Sequence, residues 1–240
     1  MKFSIITVNY NNKEGLEKTI LSVISQKYKD YEYIIVDGGS TDGSFKVIEK
    51  YAQFFSWWCS EPDKGVYNAM NKSVDHAKGE YINFMNSGDC FYDDNTLNNV
   101  ASEQSDADVL YGNWIRWYNS DKQFLIKAPP IVKFAYFFNG DNICHQAMFI
   151  RSKIHQKEKY EERYKVLADW ALWQKLSFDN SIFEYLPQTI CVFDANSGLS
   201  EKCREIMMRE RLSIRLKHPF RFFFLIIRRI PFYVKRIILQ

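Results

Sequence analysis

The sequence predicts an α/β fold in which a mainly parallel central sheet is flanked by helices. Three observations support this class: short apolar runs alternate with amphipathic stretches, glycine or capping residues separate them, and the runs show no polar alternation. Strands that are apolar on both faces are typical of a parallel sheet covered by helices on both sides. The chain has 240 residues, of which 46% are hydrophobic, which suits one domain with an appendage.

Four strands and three helices alternate in the first half of the chain. The predicted strands are FSIITV, YEYIIVD, FFSWWCS and YINFM, at residues 3–8, 31–37, 54–60 and 81–85. The first helix begins after Asn12, a suitable N-cap, and places Leu16, Ile20 and Val23 on one face. Two more helices are expected in GGSTDGSFKVIEKYA and GVYNAMNKSVDHAKG, the second of which ends at Gly79.

The alternation is looser beyond residue 90. A helix is expected near residues 94–103, and DVLYGNWIRWY and QFLIKAPP are typical of antiparallel strands or a hairpin. The remaining predicted elements are a strand in ICHQAMFIR (143–151), a short amphipathic helix in DWALWQKLSF (169–178) and an extended segment in SIFEYLPQTICVF (181–193). The loop DANSGLS follows the extended segment.

Charge and cysteine usage restrict the partners and the compartment. Residues 201–240 contain eleven Lys and Arg against three Glu, so this tail carries +8 and the first 200 residues carry −5. The basic character therefore belongs to the tail and not to the body of the protein. We expect no nucleic-acid partner. The five Cys lack CxxC or Cys/His ligand spacing, which argues against a disulfide framework and structural zinc. The first apolar run is too short for a signal peptide, so we expect a cytoplasmic location.

A polar segment follows each of the four predicted parallel strands. No GxGxxG follows the first strand and no GxxxxGK[ST] occurs, which disfavours a dinucleotide Rossmann site and a P-loop. Open α/β sheets bind ligands beyond the carboxyl ends of their strands. We therefore expect four segments to lie along one sheet edge, namely Thr7 to Tyr10, Asp37 to Ser40, Glu61 to Gly65 and Asn86 to Asp89.

Four motifs resemble those of the inverting nucleotide-sugar glycosyltransferases of family 2, which have a GT-A fold. They are SIITVNYNN, IIVDGGSTDGS, SEPDKGVYNAMNKSVDHAKGEYINFMNSGD and LADWALW, and the similarity is greatest to the bacterial surface-polysaccharide branch. The resemblance implies transfer of a sugar from a nucleotide donor, expected to be a UDP-sugar, to a saccharide acceptor, expected to be lipid-linked. It implies a GT-A domain over residues 1–200, with a nucleotide-binding part (1–90) and an acceptor-binding part (91–200), followed by a basic amphipathic tail (201–240).

The resemblance assigns donor-site roles to residues at the strand ends. Asp37 is expected to accept a hydrogen bond from the base, as an acceptor-only carboxylate can, with a turn or helix cap as the alternative. The other expected donor-site residues are Thr7, Asn9, Tyr10, Asp63, Lys64, Asn71 and Asn86. Met70 stands where the family often has Arg, so another cation is needed to face the phosphate. Lys64 or Lys72 could offset the phosphate charge, and a solvated charge run is the alternative for these lysines.

The same resemblance gives roles to two further acids. Asp89 takes the last position of the family's acidic motif and is expected to hold Mn²⁺ or Mg²⁺ against the donor diphosphate. Asn86 and Gly88 stand where carboxylates often occur, so the phosphates must supply much of the coordination, and a plain Gly-Asp turn is the alternative. Asp169 matches the catalytic base, which takes the proton of the acceptor hydroxyl during inversion, and helix capping is its alternative.

Four residues have weaker assignments. His145 and Gln146 are expected to contact the acceptor or the diphosphate, although a lone histidine is often structural. Trp170 could form a sugar platform, with core packing as the alternative. Ser200, in the loop Asn196 to Ser200, is expected to reach phosphate when that loop closes over the donor.

The tail sequence HPFRFFFLIIRRIPFYVKRIILQ is both apolar and basic. Pro219 and Pro231 limit any helix between them to about 11 residues, or roughly 17 Å, which is shorter than a hydrocarbon core of about 30 Å. We therefore expect the tail to lie in the interface on the inner face of the cytoplasmic membrane. Docking on the domain, or on a second copy to form a homodimer, is the alternative.

Two other functional classes stay open at this point. A sugar-1-phosphate nucleotidyltransferase has a related architecture, but it is expected to carry a Gly-rich basic first loop, which TVNYNNKEG lacks. A membrane-attached, non-catalytic assembly factor with a decayed site is compatible with the thinned acidic motif.

Overall fold

Four parallel strands form the first part of the sheet in a computed structural model that describes residues 1–196 and 203–219. The strands are β1 (Phe3–Asn9), β2 (Tyr31–Asp37), β3 (Trp57–Ser60) and β4 (Tyr81–Phe84). Their order in the sheet is β3-β2-β1-β4. All seven residues of β1 are buried, because it is a central strand with packed side chains on both faces. This confirms the interpretation of the continuous apolar runs.

Three helices connect these strands, α1 (Lys13–Ile24), α2 (Ser44–Tyr51) and α3 (Val66–Val74). The Asn12 side chain caps α1 by accepting a hydrogen bond from the backbone N–H of Gly15, as predicted. Helix α3 ends at Val74, before the predicted end at Gly79. A Cβ at Gly79 would lie 2.4 Å from the carbonyl carbon of Phe3, so the turn into β4 requires glycine at this close approach.

The second part of the chain adds five strands and five helices to the described structure. They are β5 (Cys90–Phe91), α4 (Thr96–Ser102), β6 (Val109–Asn119), β7 (Lys122–Ile126), α5 (Phe134–Asn139), β8 (Met148–Arg151), α6 (Ser152–Lys157), α7 (Ala168–Phe178), β9 (Phe183–Asp194) and α8 (Arg204–Leu216). The sheet continues as β4-β8-β6-β9-β5, and β7 pairs with β6 as the predicted hairpin. Because β8 is antiparallel to β4 and β6, while β9 is parallel to β6, this part of the sheet is mixed.

Two segments begin later as strands than the sequence pattern indicates. Residues Ala52–Phe54 form a 3-10 turn, so β3 starts only at Trp57. Residues His145–Ala147 form a second 3-10 turn, so β8 starts at Met148. The second turn places Gln146 beyond the end of β4, where the polar loops gather.

Helix α7 is more deeply buried than an amphipathic surface helix. Trp170, Trp173 and Leu176 are all at most 2% exposed and belong to one of the two clusters of buried residues that form the core. Helix α8 packs on the same cluster through Ile214, and its Glu210 is also buried. Helix α8 therefore contributes to the globular unit.

No helix within residues 1–196 and 203–219 combines the length and apolar character needed to cross a bilayer. The membrane-interface prediction concerns mainly residues 220–240, which lie outside the described residues.

Candidate functional site

The register of the parallel strands brings polar side chains to one level of the sheet edge. Asn9, the last residue of β1, pairs with Asp37, the last residue of β2, and Asp37 pairs with Ser60 at the end of β3. Because parallel strands share one carboxyl edge, the three polar side chains lie side by side. The structure thus brings together the starts of the predicted segments Thr7 to Tyr10, Asp37 to Ser40 and Glu61 to Gly65.

The Asp37 carboxylate is fully buried and accepts four hydrogen bonds. Its Oδ1 receives the Asn9 amide (2.7 Å) and the Ser40 hydroxyl (2.5 Å), and its Oδ2 receives the Ser40 N–H (2.9 Å) and the Ser60 hydroxyl (2.6 Å). Burial favours the neutral acid, but these hydrogen bonds outweigh it and lower the pKa, so the group is ionised. Since four donors fill the lone pairs of a carboxylate, a ligand N–H must displace one of the hydroxyls.

Tyr10 and Asp63 converge over Gly38 beside this network. A Cβ on Gly38 would lie 2.6 Å from Asp63 Oδ2 and 3.2 Å from the Tyr10 ring. The Tyr10 side chain is 67% exposed, so its ring offers an accessible flat surface. The Oδ1 atom of Asp63 accepts the Gly65 N–H (2.7 Å), which fixes the loop before α3. The glycine therefore allows the Asp63 carboxylate and the Tyr10 ring to lie close to the backbone at the end of β2.

The side chains of two other predicted donor-site residues are occupied within the protein. The Thr7 hydroxyl is buried, bonds to the Tyr33 hydroxyl (2.9 Å) and donates to the Met85 carbonyl (2.7 Å). The Asn71 side chain bonds to both the carbonyl and the N–H of Tyr160 (2.9 Å each). These contacts place Thr7 and Asn71 in support of the neighbouring strands and loops.

The two lysines considered for the phosphates differ in their surroundings. Lys72 forms an ion pair with Glu61, so its charge is already balanced on the protein surface. Lys64 is exposed, and its backbone N–H donates to the Asn68 side chain (3.2 Å).

The Asp89 carboxylate joins the ends of three chain segments. Its Oδ2 accepts the Gln146 amide (2.5 Å) and its Oδ1 accepts the backbone N–H of Asp194, the last residue of β9 (2.8 Å). The residue is only 4% exposed, and burial, with the nearby Asp194 carboxylate adding to it, raises the pKa of Asp89 to about 7. The structure therefore assigns Gln146 a contact with Asp89 that the sequence did not predict.

Helix α1 holds the loop that carries Asp89. The Thr19 hydroxyl donates to the Asp89 carbonyl (2.7 Å), and the Lys18 ammonium donates to the carbonyl of Gly88 (3.0 Å). Gly88 has a φ of +104°, a conformation that glycine adopts readily. The side-chain oxygen of Asn86 in the same loop is buried and has no hydrogen-bond partner in the described protein. An orphaned oxygen of this kind is suited to a ligand that donates a proton or carries positive charge.

The donor set at this loop fits a divalent cation that is shared with phosphate. Asp89 retains lone pairs on both oxygens, and Asn86 supplies a free amide oxygen, which are ligands that Mg²⁺ and Mn²⁺ accept. Among residues 1–196 and 203–219, no three His, Cys, Asp or Glu side chains are grouped to hold a metal ion. The described protein residues are therefore too few to complete the coordination of a cation, and a cation held here would need further ligands from a bound molecule.

Asp169 lies at the start of α7 with one oxygen fixed and one free. Its Oδ1 accepts the Trp170 N–H (2.7 Å) and the Tyr67 hydroxyl (3.1 Å), and no described residue donates to its Oδ2. Burial raises the pKa of Asp169 to about 6. Because Tyr67 belongs to the first turn of α3, which starts beyond β3, Asp169 lies at the same sheet edge as Asp37.

The residues with weaker assignments, His145, Trp170 and Ser200, differ in their surroundings. His145 is buried and bonded to the Tyr160 hydroxyl (2.7 Å), and burial lowers its pKa to about 3, so the ring is neutral. Trp170 is 1% exposed, with the guanidinium groups of Arg211 and Arg215 over its ring, which favours the core-packing alternative. Ser200 lies outside the described residues.

Sequence reasoning missed two charged residues beside Asp89. Asp194 ends β9, and Lys18 faces the Asp89 loop from α1 while its ammonium lies 5.2 Å from the ring centre of Trp117. Asp194 could have been found by the rule that identified Asp37, because it is also an acid at the end of an apolar strand. Lys18 has no comparable signal, since a lysine on an amphipathic helix is ordinarily solvated.

The raised pKa of Asp89 predicts a pH-dependent stability in the metal-free protein. The folded-state pKa of about 7 exceeds the ordinary value of 3.8, so the folded state retains a proton that the unfolded state has released. Stability should therefore fall as the pH rises from about 4 to about 7. In urea denaturation with a chelator, the free energy of unfolding of the wild type relative to Asp89→Asn should fall by at most about 1.4 kcal/mol per pH unit in this window.

Asp121→Asn, at the exposed β6–β7 turn, is the matched control for removing a carboxylate from the surface. If the free energy of unfolding of the wild type relative to Asp89→Asn stayed constant or rose with pH, the assigned effect of burial on the Asp89 carboxylate would be contradicted.

Comparisons with known proteins show the family and the fold of the chain. The glycosyl transferase family 2 profile matches residues 4–207. A PGL/p-HBAD biosynthesis glycosyltransferase of Mycobacterium bovis (strain BCG / Pasteur 1173P2) is 30% identical over 252 residues, which cover 98% of this chain and 93% of that protein. An uncharacterized glycosyltransferase of Methanocaldococcus jannaschii is 25% identical over 196 residues, which cover 77% and 68% of the two chains.

Solved structures show the fold. Staphylococcus aureus TarS 1-349 in complex with UDP-GlcNAc has a TM-score of 0.68 at 18% identity, covering 85% of this chain and 61% of that chain. The mannosyltransferase PcManGT from Pyrobaculum calidifontis, in complex with GDP-Man and Mn²⁺, has a TM-score of 0.65 at 16% identity, covering 92% and 64%. The chain thus spans about three fifths of the length of these structures, and their likeness confirms the predicted GT-A fold. Together with the family match, these findings show that the chain is a glycosyltransferase and belongs to glycosyl transferase family 2.

Proposed function

We propose that the protein transfers a sugar from a nucleotide-diphosphate donor, a UDP-sugar, to a saccharide hydroxyl with inversion of the anomeric carbon. One observation carries this proposal: a half-buried acid with a raised pKa and a free oxygen, Asp169, stands at the same sheet edge as the polar strand ends. The donor part is assigned to residues 1–90 and the acceptor part to residues 91–200.

The base of the donor would lie between Tyr10 and the Asp37 network. The exposed Tyr10 ring offers a stacking surface, and the glycine at position 38 lets that ring lie close to the end of β2. Asp37 would accept a base N–H after one serine hydroxyl turns away. Asn9 supports a polar ligand here, because its side-chain oxygen is buried without a hydrogen-bond partner. Asp63 lies close enough to contact the base or the ribose.

The diphosphate would lie along the loop that ends in Asp89. Asp89 and Asn86 would hold a divalent cation, Mn²⁺ or Mg²⁺, which when bound neutralises charge on the departing nucleotide diphosphate. The N-terminus of α3, which begins at Val66, offers backbone N–H groups to the same anion. Lys64 is the exposed cation that precedes this helix.

Asp169 would act as the catalytic base. Its Oδ2 takes the proton of the acceptor hydroxyl while the acceptor oxygen attacks the anomeric carbon opposite the leaving diphosphate. The new bond therefore has the inverted configuration, and the proton on Asp169 is later released to water. A pKa of about 6 suits this task, because the group is mostly ionised near neutral pH yet basic enough to accept the proton.

We further propose a lipid-linked acceptor and a location at the inner face of the cytoplasmic membrane. The support is the apolar and basic sequence of residues 201–240 and the resemblance to the surface-polysaccharide branch. The Mycobacterium bovis relative is named for the biosynthesis of PGL/p-HBAD, and this name describes that protein alone. The tail would reach headgroups with its Lys and Arg side chains.

The catalytic assignment predicts the effect of Asp169→Asn. The amide cannot take a proton but preserves the shape of the side chain, so transfer should fall by about 10²–10⁴-fold while UDP binding is retained. Transfer is measured as UDP released from a panel of UDP-sugars with saccharide acceptors, with Mn²⁺, with Mg²⁺ and with chelator.

Turnover of Asp169→Asn at the wild-type rate would refute the base assignment. A wild type that binds UDP but transfers nothing from any donor would favour the non-catalytic alternative, and release of pyrophosphate from UTP and a sugar phosphate would favour a nucleotidyltransferase.

The stacking assignment predicts that Tyr10→Ala weakens nucleotide binding without unfolding the protein. The ring is mostly exposed, and stacking of a base on an aromatic ring contributes about 1–3 kcal/mol, so the Kd for UDP should rise by about 5- to 150-fold. Isothermal calorimetry measures this Kd, and Tyr92→Ala, another exposed tyrosine outside the site, is the control. Unchanged UDP affinity of Tyr10→Ala would place the base elsewhere.

A further inference from the structure

The three residues before α7 are held from two sides. Glu210 of α8 accepts the backbone N–H groups of Lys165 (2.5 Å), Val166 (3.1 Å) and Leu167 (3.0 Å). This carboxylate is only 8% exposed, so it is a buried charge that three consecutive amides stabilise. Lys165 to Leu167 lead directly into α7, and Glu210 therefore fixes the position at which that helix begins.

The opposite side of the same segment is held by Tyr67 of α3. Its hydroxyl lies 2.7 Å from the carbonyl of Val166 and 3.1 Å from Oδ1 of Asp169. The tyrosine ring is buried against the ring of Tyr160, with the ring centres 5.2 Å apart, so the hydroxyl has little freedom to move. Val166 thus gives its N–H to Glu210 and its carbonyl to Tyr67, three residues before Asp169.

We propose that Tyr67 and Glu210 are positioning residues that hold Asp169 with Oδ2 directed at the acceptor. Tyr67 occupies Oδ1 directly, and Glu210 sets the start of the helix that carries the carboxylate. Helix α8, within the region that sequence analysis assigned to the tail, is then part of the catalytic apparatus. This proposal deepens the proposed function and rests on it, because it assumes that Asp169 is the base.

The charged and titratable groups around Asp169 come from α3, α8 and the segment before α7. They are Tyr67, Tyr160, Glu210 and the two arginines over the adjacent Trp170 ring, Arg211 and Arg215. The Tyr67 hydroxyl shares its one proton between the Val166 carbonyl and Oδ1 of Asp169, and this shared hydrogen bond favours the ionised form of Asp169. The negative charge of Glu210 disfavours that form. Removing the Tyr67 hydroxyl should therefore raise the pKa of Asp169, and removing the Glu210 charge should lower it.

The experiment measures the pKa of Asp169 by carbon-13 NMR of carboxyl-labelled full-length protein, with Asp169→Asn used to assign the signal. Tyr67→Phe should raise this pKa by about 0.5 to 1, which is less than a full hydrogen bond to a charged group would give, because the hydroxyl shares its proton with the Val166 carbonyl. Glu210→Gln should lower it by about 0.5, because a nearby negative charge is lost. Tyr164→Phe is the matched control, since the Tyr164 hydroxyl is buried without a hydrogen-bond partner and its loss should leave the pKa unchanged.

The acid limb of the pH profile of kcat/KM should shift in the same direction as the pKa of Asp169 in each variant. For Tyr67→Phe, kcat/KM near pH 6 should fall by about twofold to fivefold and recover as the pH rises. Shifts of opposite sign in the two variants support the proposal. Equal losses of activity at every pH, with an unmoved pKa, would show that the residues are merely structural and would overturn it. Tyr67→Phe removes only one hydroxyl, so it decides the question if Glu210→Gln does not fold.

The NMR titration needs no turnover, so it separates the two proposals. Shifted pKa values in a protein that transfers no sugar would overturn the proposed function and leave the positioning contacts intact. Active protein with an unmoved pKa would overturn the positioning role alone.

Discussion

A single buried carboxylate, Asp89, connects the two parts of the sheet at the edge where the site forms. It lies just beyond β4 and accepts hydrogen bonds from Gln146, before β8, and from the backbone of Asp194, at the end of β9. An unpaired buried carboxylate is costly, and removing its partners would leave that cost uncompensated. One carboxyl group thus holds the strand ends at fixed positions. Burial disfavours the ionised form of this group and raises its pKa. A cation shared with a diphosphate would stabilise the ionised form, so the Asp89 carboxylate links the fold to the proposed donor site.

The three acids of the site differ because their surroundings differ. Asp37 receives four hydrogen bonds and is held ionised, whereas burial raises the pKa of both Asp89 and Asp169. Asp37 is therefore suited to a fixed acceptor role, Asp89 to a site that gains from positive charge, and Asp169 to proton transfer. The polar edge of one sheet thus provides three distinct chemical environments for one type of side chain.

Sequence patterns predicted the parallel strands and their polar ends, because burial on both faces and glycine turns leave local signals. They did not predict the partner of Gln146, since its contact with Asp89 joins residues 57 positions apart. Core packing of Trp170 was open from sequence, because helical spacing serves a sugar platform and a buried face equally well. Glu210 was assigned to a tail on the basis of net charge, while its function as an anchor for backbone amides depends on where α8 packs. The contacts between distant segments were therefore missed, whereas the local pattern predicted most of the strands and helices but not all of their ends.

In the proposed donor site, the edge that contains Asp89 holds a divalent cation only together with the nucleotide diphosphate. Electron paramagnetic resonance of Mn²⁺ tests it directly, because bound and free Mn²⁺ are distinguished without any turnover. With the wild type, Mn²⁺ should bind weakly alone and at least about tenfold more tightly when UDP is present, since phosphates complete its ligands. Asp89→Asn should lose this UDP-dependent binding. Equally tight Mn²⁺ binding by Asp89→Asn in the presence of UDP would contradict the account.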